Sequence, residues 1–194
     1  MNGYVQVYTG SGKGKTTAAL GLTVRALGAG MRVLFLQFMK TRTYSEHKVM
    51  VKMAPDLSVD CIGKPFFMAI EGMMTEEELE KWRDKVVVFP RGQPPKEYVE
   101  IIDAGMKKAK AAVESGDYDL VVLDEINCAL AFGLVSWSDL LDLIDSKAKN
   151  TELVLTGRGA NPELIERADL VTEMKEVKHY YSTKGVEARL GIEN

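Results

Sequence analysis

Residues 9–17 of the chain read Thr9-Gly10-Ser11-Gly12-Lys13-Gly14-Lys15-Thr16-Thr17, a stretch rich in glycine, lysine and threonine. It follows an apolar run, Tyr4 to Tyr8, and precedes a helical pattern that begins at Lys15. Glycines let the backbone wrap so closely that successive N–H groups point at phosphate oxygens, while the helix directs its positive dipole end at the anion. The stretch therefore predicts a phosphate-binding loop and a nucleoside triphosphate ligand.

The side chains of this loop fit the same chemistry. Lys15 is expected to supply a positive charge to the phosphates, and Thr16 a hydroxyl to a magnesium ion. Against the general spacing G-x-x-x-x-G-K-[ST], Thr9 stands where the first glycine belongs. The alternative is a glycine-rich turn without chemistry, which two lysines and two adjacent threonines between a strand and a helix disfavour.

A second motif lies far along the chain, where the apolar run Leu120 to Leu123 ends in Asp124 and Glu125. Such a run is typical of a buried parallel strand whose carboxyl end meets a ligand. A strand that ends in two acids is weak support by itself. Together with the loop, it predicts that both carboxylates lie beside Thr16 and a magnesium ion.

The composition favours one domain, residues 1–194, because 194 residues with 46% hydrophobic content suffice for a single well-packed core. The net charge of -3 provides no broad basic surface, so neither a nucleic acid nor an anionic membrane is expected as a partner. No apolar stretch approaches the length of a membrane span. Cys61 and Cys128 lie outside any C-x-x-C or Cys/His cluster, so we expect reduced thiols, no zinc site and a cytoplasmic protein.

Short strand-like runs alternate with helical patterns along the chain. The runs are Val5 to Tyr8, Val33 to Phe38, Leu57 to Ile62, Val86 to Phe89, Leu120 to Leu123, Leu153 to Leu155 and Leu170 to Thr172. The helical patterns are Lys15 to Leu27, Glu76 to Arg83, Pro95 to Glu114, Trp137 to Ile144 and Glu163 to Ala168. The alternation predicts a three-layer α/β fold of the P-loop NTPase type, RecA-like, with a mostly parallel sheet and helices on both faces.

The region between Met39 and Lys85 is the least regular part of the sequence. Its residues 63–75 are mostly apolar but are bounded by proline and glycine. This segment is either a buried loop or a mobile lid over an apolar ligand or a neighbouring subunit. After it, Thr75 and the acidic residues that follow predict a capped helix start, and Ser136 is the expected cap of a later helix.

Several stretches in a fixed order resemble the ATP:corrinoid adenosyltransferases of the cobalamin pathway. Thr9 at the first loop position, which departs from the general pattern, is the residue that this family uses. The resembling stretches cover most of the chain and are Tyr8 to Ala19, Gln37 to Lys40, Leu123 to Asn127, Leu155 to Gly159, Ala168 to Met174, Val177 to His179 and Gly185 to Glu193.

This resemblance implies an enzyme that transfers the 5'-deoxyadenosyl group of ATP to the Co(I) centre of a reduced corrinoid and releases triphosphate. The setting would be cobalamin biosynthesis or salvage. Because Co(I) is itself a strong nucleophile, the protein would mainly position the substrates and stabilise the leaving group. The resemblance also implies a nucleotide that lies reversed relative to hydrolases, a homodimer, and a flavoprotein as the candidate reductant.

The family positions assign three sets of site residues in this sequence. The set implied for ATP binding is Gly10, Ser11, Gly12, Lys13, Gly14, Lys15, Thr16 and Thr17. The set implied for catalysis, by neutralising the departing triphosphate, is Lys15, Thr16, Glu125 and Arg158. The set implied for holding Mg²⁺ or Mn²⁺ is Thr16, Glu125 and Asp124.

The sequence departs from the family just before the helix Pro95 to Glu114. Better-known members carry a Phe-x-Trp segment there, whose aromatic rings help to remove the lower axial ligand of cobalt. Residues 88–94 of this chain contain no tryptophan. Phe89 is the candidate for the corrinoid contact, and the stretch Phe66-Phe67-Met68 is the alternative. His179 either touches a corrinoid side chain or ends a strand.

Two other functions stay open on the sequence alone. A P-loop ATPase or nucleotide-dependent regulator would use Glu125 to position water, and would release ADP and phosphate without any corrinoid. A small-molecule kinase would need an arginine-rich lid. After Lys107 the arginines are only Arg158, Arg167 and Arg189, which are not clustered, so the kinase ranks last.

Overall fold

A computed structural model describes residues 2–193 of the chain. The strands within this range are Val5–Thr9 (β1), Val33–Phe38 (β2), Leu57–Ile62 (β3), Phe67–Ile70 (β4), Val86–Phe89 (β5), Leu120–Asp124 (β6), Glu152–Thr156 (β7) and Leu170–Glu173 (β8). The α-helices are Lys15–Gly28 (α1), His47–Met50 (α2), Glu76–Lys81 (α3), Lys96–Ser115 (α4), Ile126–Ala131 (α5), Trp137–Asp145 (α6), Pro162–Arg167 (α7) and Tyr180–Lys184 (α8). A 3-10 helix, Val51–Met53, continues α2. None of the helices in residues 2–193 has both the length and the apolar character needed to cross a bilayer.

Six strands form one sheet in the order β3-β2-β6-β7-β1-β8, and all neighbouring pairs in it are parallel. Across its centre Phe35 lies beside Val122, and Val122 beside Val154. Because the strands run in one direction, their carboxyl ends meet at one edge of the sheet, which is where such sheets bind ligands. The predicted mostly parallel sheet is confirmed.

Alternate residues of the central strands pack on opposite sides of this sheet. Val121 and Leu123 of β6 belong to a core cluster that includes residues of α4, α6 and α7. Leu120 and Val122 belong to a second cluster, with Ala19 of α1. A strand that is buried on both faces needs apolar residues at every position, which explains the unbroken apolar run of β6. Helices therefore cover both faces, and the predicted three-layer α/β fold is confirmed.

One strand lies outside the main sheet, contrary to expectation. Residues 86–89 were predicted to be part of the main sheet, but β5 pairs in parallel with β4 in a separate two-stranded sheet. Its partner β4 lies in residues 63–75, so this segment contains a strand and is not a plain loop. Helix α3 supplies the crossover that two parallel strands require. Met68, Ile70 and Phe89 attach this unit to the core.

The expected helix caps are present. Thr75 Oγ1 accepts from the N–H of Glu78 at 3.2 Å, and the Glu78 carboxylate accepts from the N–H of Thr75 at 2.9 Å. Ser136 Oγ accepts from the N–H of Asp139 at 3.1 Å at the start of α6. The short helices α2, α5 and α8 were not predicted, because four to six residues carry little helical period and no capping pattern in the sequence marked their starts, as Thr75 marked that of α3.

Candidate active site

The glycine-rich loop is built against the end of β8. The N–H of Gly12 donates to the carbonyl of Met174 at 2.7 Å. A Cβ at Gly10 would lie 2.4 Å from the same carbonyl oxygen, and one at Gly12 would lie 2.8 Å from backbone atoms of Met174 and Lys175. Gly14 has a φ of 118°, in the region that side chains disfavour. The loop can take this path only because these positions have no side chain.

Lys15 reaches back across the loop that precedes it. Its Nζ donates to the carbonyls of Gly10 at 2.8 Å and Gly12 at 2.7 Å, and the residue is only 8% exposed. Burial and the nearby charge of Arg158 lower the pKa of Lys15. The helix α1 begins at this residue, so the ammonium and the helix N-terminus face the same cavity.

Asp124 joins the loop to the sheet. Its carboxylate is fully buried and accepts hydrogen bonds at Oδ1 from Thr16 Oγ1 (2.9 Å) and Thr156 Oγ1 (2.6 Å), and at Oδ2 from Gln37 Nε2 (3.1 Å) and Lys40 Nζ (2.8 Å). Burial by itself raises the pKa of Asp124, but Lys40 and the donated hydrogen bonds hold that pKa below its ordinary value. Asp124 is therefore a charged centre on which three strand ends and the loop converge.

The Glu125 carboxylate takes no part in the hydrogen bonds of Asp124. Its φ of 63° is unusual for a residue with a side chain, and its N–H donates to Thr156 Oγ1 at 3.0 Å. The Cys128 thiol donates to its carboxylate at 2.9 Å, and burial together with Glu125 raises the pKa of Cys128 to about 12. The two adjacent acids therefore have different environments: Asp124 is buried, and Glu125 lines the cavity at the loop.

Lys40 joins the candidate site, although no motif in the sequence assigned it a role there. Its Nζ lies 2.8 Å from Asp124 Oδ2 and 3.2 Å from Thr16 Oγ1, and its side chain is 14% exposed. Burial alone lowers the pKa of Lys40, but attraction to Asp124 and Glu125 outweighs burial and raises that pKa. The signal that could have found it is its position directly after β2, at the ligand-binding edge of the sheet.

Most of the predicted nucleotide residues line one cavity of about 650 Å³, which we call the loop cavity. A volume of this size lies in the range typical of small-molecule sites. Gly10 and Asp124 lie behind its wall, within hydrogen-bonding distance of Lys15 and Thr16. The predicted residues that line the cavity are Ser11, Gly12, Lys13, Gly14, Lys15, Thr16, Thr17, Glu125 and Arg158.

A second cavity of about 780 Å³, which we call the aromatic cavity, adjoins the first. The two cavities share Tyr44, His179 and Glu193 as lining residues. His179 does not end a strand, since it is the N-terminal cap of α8, with its Nδ1 accepting from the N–H of Tyr181 at 3.1 Å. The aromatic side chains that line the second cavity are Tyr44, Phe66, Phe67, Trp82, Tyr180 and Tyr181.

Phe89 lies outside both cavities. It is 4% exposed, and its ring packs against Phe132 with a centroid distance of 6.1 Å. Phe67 has the opposite environment, since it is 55% exposed and its ring meets Trp82 edge-on at 5.4 Å. The structure therefore brings the alternative stretch, and not Phe89, to a surface that a ligand can reach.

The oxygen donors at the loop suit a small divalent cation. Within residues 2–193, no three side chains of histidine, cysteine or acid form a metal-binding group. Thr16, Asp124 and Glu125 nevertheless supply a hydroxyl and two carboxylates at the loop. Mg²⁺ is commonly held by one or two carboxylates with water and substrate phosphates completing its shell. The donor set fits a cation that arrives with a nucleotide.

The sequence of the chain is similar to those of known proteins. The family profile "ATP:corrinoid adenosyltransferase BtuR/CobO/CobP" matches residues 1–194. A corrinoid adenosyltransferase of Pseudomonas aeruginosa is 34% identical over 192 residues, covering 98% of this chain and 83% of that protein. The corrinoid adenosyltransferase of Escherichia coli K12 is 28% identical over 192 residues, covering 98% of this chain and 85% of that protein.

The chain is also similar to one further protein and to one solved structure. An uncharacterized Nostoc protein is 34% identical over 193 residues, which is 95% of this chain but only 47% of that protein. A KaiC-like protein of Pyrococcus horikoshii has a TM-score of 0.48 at 19% identity, over 91% of this chain and 75% of its own. The family profile extends over the whole sequence. The chain therefore belongs to the ATP:corrinoid adenosyltransferase family of enzymes.

Proposed function

We propose that this protein transfers the 5'-deoxyadenosyl group of ATP to the Co(I) centre of a reduced corrinoid and releases triphosphate. The observation that carries the proposal is the pair of adjoining cavities, one lined by the phosphate loop and the other by aromatic rings. Because they share Tyr44, His179 and Glu193, a nucleotide in one and a flat apolar ligand in the other would meet at a common wall.

The transfer needs little from the protein besides position and charge. The electron pair of Co(I) forms a bond to C5' of the ribose, and the C5'–O bond breaks with its electron pair left on the triphosphate. No proton moves in this step, so no general base is required. The ribose would lie toward the aromatic cavity and the triphosphate in the loop, which is the reversed orientation that the family resemblance implies.

Leaving-group stabilisation is the role we assign to the loop cavity. The loop N–H groups, Lys15 and the guanidinium of Arg158 line the space where the triphosphate charge develops, and Lys13 adds a further positive charge. Thr16, Glu125 and Asp124 are the residues that would hold Mg²⁺ or Mn²⁺, which when bound would neutralise part of the phosphate charge. The buried Asp124 also holds Thr16 in place through its 2.9 Å hydrogen bond.

The aromatic cavity is the corrinoid site in this proposal. Phe66, Phe67 and Trp82 offer ring surfaces to the apolar faces of a macrocycle, and Lys64 and Lys85 line the same cavity with polar groups. These rings replace the missing Phe-x-Trp segment. Phe89, the first candidate, would contribute only by supporting β5 from within the core.

Three further properties belong to the proposal. Two free cysteines, Cys61 and Cys128, suit a reducing cytoplasm. A flavoprotein would supply the electrons that generate Co(I). A homodimer is expected from the family, and light scattering at several protein concentrations would test it.

The decisive experiment is anaerobic incubation of the protein with magnesium ATP and chemically reduced cobalamin, followed by the corrinoid spectrum and by analysis of the phosphate product. Light-sensitive adenosylcobalamin together with triphosphate is the expected result. An unchanged corrinoid with release of ADP and phosphate would overturn the proposal and favour an ATPase or regulator.

A further inference from the structure

We propose that Lys40 is a tethered cation of the nucleotide site, whose ammonium competes with a divalent metal for Thr16 and Asp124. This inference rests on the proposed binding of a nucleotide at the loop. It assigns a role to a residue that neither the loop motif nor the acidic strand end contains, and it predicts how nucleotide affinity depends on metal.

The ammonium of Lys40 contacts oxygen atoms that a metal ion would also use. Lys40 Nζ lies 2.8 Å from Asp124 Oδ2 and 3.2 Å from Thr16 Oγ1, and these are two of the oxygen donors proposed for the metal. The Thr16 hydroxyl donates its proton to Asp124 Oδ1, so its oxygen is left to accept from either Lys40 or a cation. The ammonium of Lys40 and a metal ion therefore cannot both bind Thr16 Oγ1 and Asp124 Oδ2 at the same time.

The buried carboxylate of Asp124 needs a positive charge beside it. Asp124 is fully buried, and a buried carboxylate is costly unless a cation and hydrogen bonds compensate it. Lys40 provides that cation in this structure. A metal bound to the same carboxylate would provide it instead, and repulsion between the two cations would then push the ammonium outward.

The surroundings of Lys40 offer the displaced ammonium a place to go. Lys40 Nζ already lies 5.5 Å from the ring centre of Tyr44, and both residues line the loop cavity. Lys40 follows Met39, whose φ of 58° marks a sharp turn of the chain after β2. The displaced ammonium can therefore stay near the ring of Tyr44, away from the oxygen atoms that a metal would occupy.

Two consequences follow for binding. Without metal, Lys40 acts as the cation of the site, so ATP should bind measurably in the presence of EDTA. With metal, the charge of Lys40 becomes dispensable. Replacing Lys40 with a neutral residue should therefore weaken metal-free ATP binding and strengthen metal binding, whereas an ordinary phosphate-binding lysine would matter equally in both conditions.

The test measures ATP affinity by calorimetry in EDTA and in excess Mg²⁺ for the wild type, Lys40→Gln and Lys48→Gln. Glutamine keeps a hydrogen-bond donor for Asp124 but removes the charge, and the exposed Lys48 makes Lys48→Gln a control for the same change in net charge. We expect Lys40→Gln to lose about tenfold or more in EDTA and less than about twofold in Mg²⁺. Equal losses in both conditions, or no loss in either, would overturn the proposal.

A second measurement needs no nucleotide and no corrinoid. Binding of Mn²⁺ alone, followed by electron paramagnetic resonance, should be about tenfold tighter in Lys40→Gln than in the wild type, because the competing ammonium is gone. Equal Mn²⁺ affinity would contradict the competition. This result is independent of adenosyl transfer, so failure of the proposed reaction and failure of this inference are distinguishable.

The third measurement uses the wild type alone and covers the case in which the variant does not fold. Amine-reactive labelling read by mass spectrometry should modify Lys40 faster as Mg²⁺ is added, while Lys48 labelling stays constant. Constant labelling of Lys40 across the Mg²⁺ titration would overturn the proposal.

Discussion

The hydroxyl of Thr16 lies 2.9 Å from Oδ1 of Asp124, although the two residues are 108 positions apart in the chain. This hydrogen bond connects the glycine-rich loop to the end of the central strand β6. It makes the position of the loop depend on a carboxylate that no solvent reaches. The proposed nucleotide site and the core of the sheet are therefore one structural unit.

Replacing Asp124 with asparagine should destabilise the protein strongly. The change leaves the buried Lys40 ammonium without its partner, and breaking a buried pair in this way costs about 3 to 5 kcal/mol of unfolding free energy. The matched control is Asp60→Asn, whose pairs with Lys108 and Arg42 are exposed and should contribute about 1 kcal/mol or less. Urea denaturation measures the free energy of unfolding of both variants. Similar losses of this free energy in the two variants would contradict the role of Asp124 as the buried partner of Lys40.

Gly12→Ala should weaken ATP binding, whereas Gly21→Ala should stabilise the protein. A Cβ at Gly12 meets backbone atoms at 2.8 Å, so the loop must shift, and ATP affinity should fall by at least about tenfold. Gly21 lies within α1, and nothing lies within 4 Å of its added Cβ. Alanine there should raise stability by about 0.5 to 1 kcal/mol. Calorimetry measures the ATP affinity of the first variant, and thermal unfolding measures the stability of the second. Retained ATP affinity in Gly12→Ala would show that the loop tolerates the shift.

Substitutions in the aromatic cavity should affect the corrinoid and not ATP. Phe67→Ala and Trp82→Ala each remove an exposed or half-buried ring, and we expect the corrinoid KM to rise about five- to tenfold with ATP affinity unchanged. Phe89→Leu is the control, because Phe89 lies in the core. It should lower stability while leaving the corrinoid KM near the wild-type value. A KM that rises only in Phe89→Leu would return Phe89 to the site and remove Phe67 and Trp82.

The pH dependence of stability should report on His47. Gln37 donates its amide to Asp124, so its oxygen accepts from His47 Nε2, and the buried Nδ1 of His47 has no partner among the described residues. Burial, with Lys40 and Arg42 nearby, lowers the pKa of His47 below its ordinary 6.5 even though Glu46 opposes this.

A lowered pKa in the folded state sets the sign of this effect. As pH falls below about 6.5, the unfolded chain binds a proton before the folded protein does, so stability is lost with acidification. His47→Gln keeps a donor for Gln37 without titrating. Urea denaturation between pH 7.5 and 5.5 should show a flatter dependence for His47→Gln than for the wild type. Parallel curves would mean that His47 titrates alike in both states.

Local patterns in the sequence predicted the elements that depend on neighbours along the chain. Alternating glycines before Lys15, the apolar run that ends at Asp124 and the cap at Thr75 are each set within a few residues, because backbone geometry and hydrogen bonds of turns and helix ends are local. The parallel sheet followed from the alternation of these elements. The loop residues expected to bind the nucleotide also followed from the motif, since one continuous stretch forms most of that wall of the cavity.

Other features depend on strand register and on which elements pack together, and local sequence patterns do not specify them. Pairing of β4 with β5 turned Phe89 into the core and left Phe67 exposed, and a period of two cannot tell which face will be covered. Asp124 is buried at the end of β6, whereas Glu125, with its positive φ, precedes α5 and lines the loop cavity. Lys40 meets Asp124 across 84 residues only because β2 and β6 are neighbours in the sheet. The local sequence is enough to specify the glycine-rich loop, whereas the packing of distant strands specifies which charges and rings surround it.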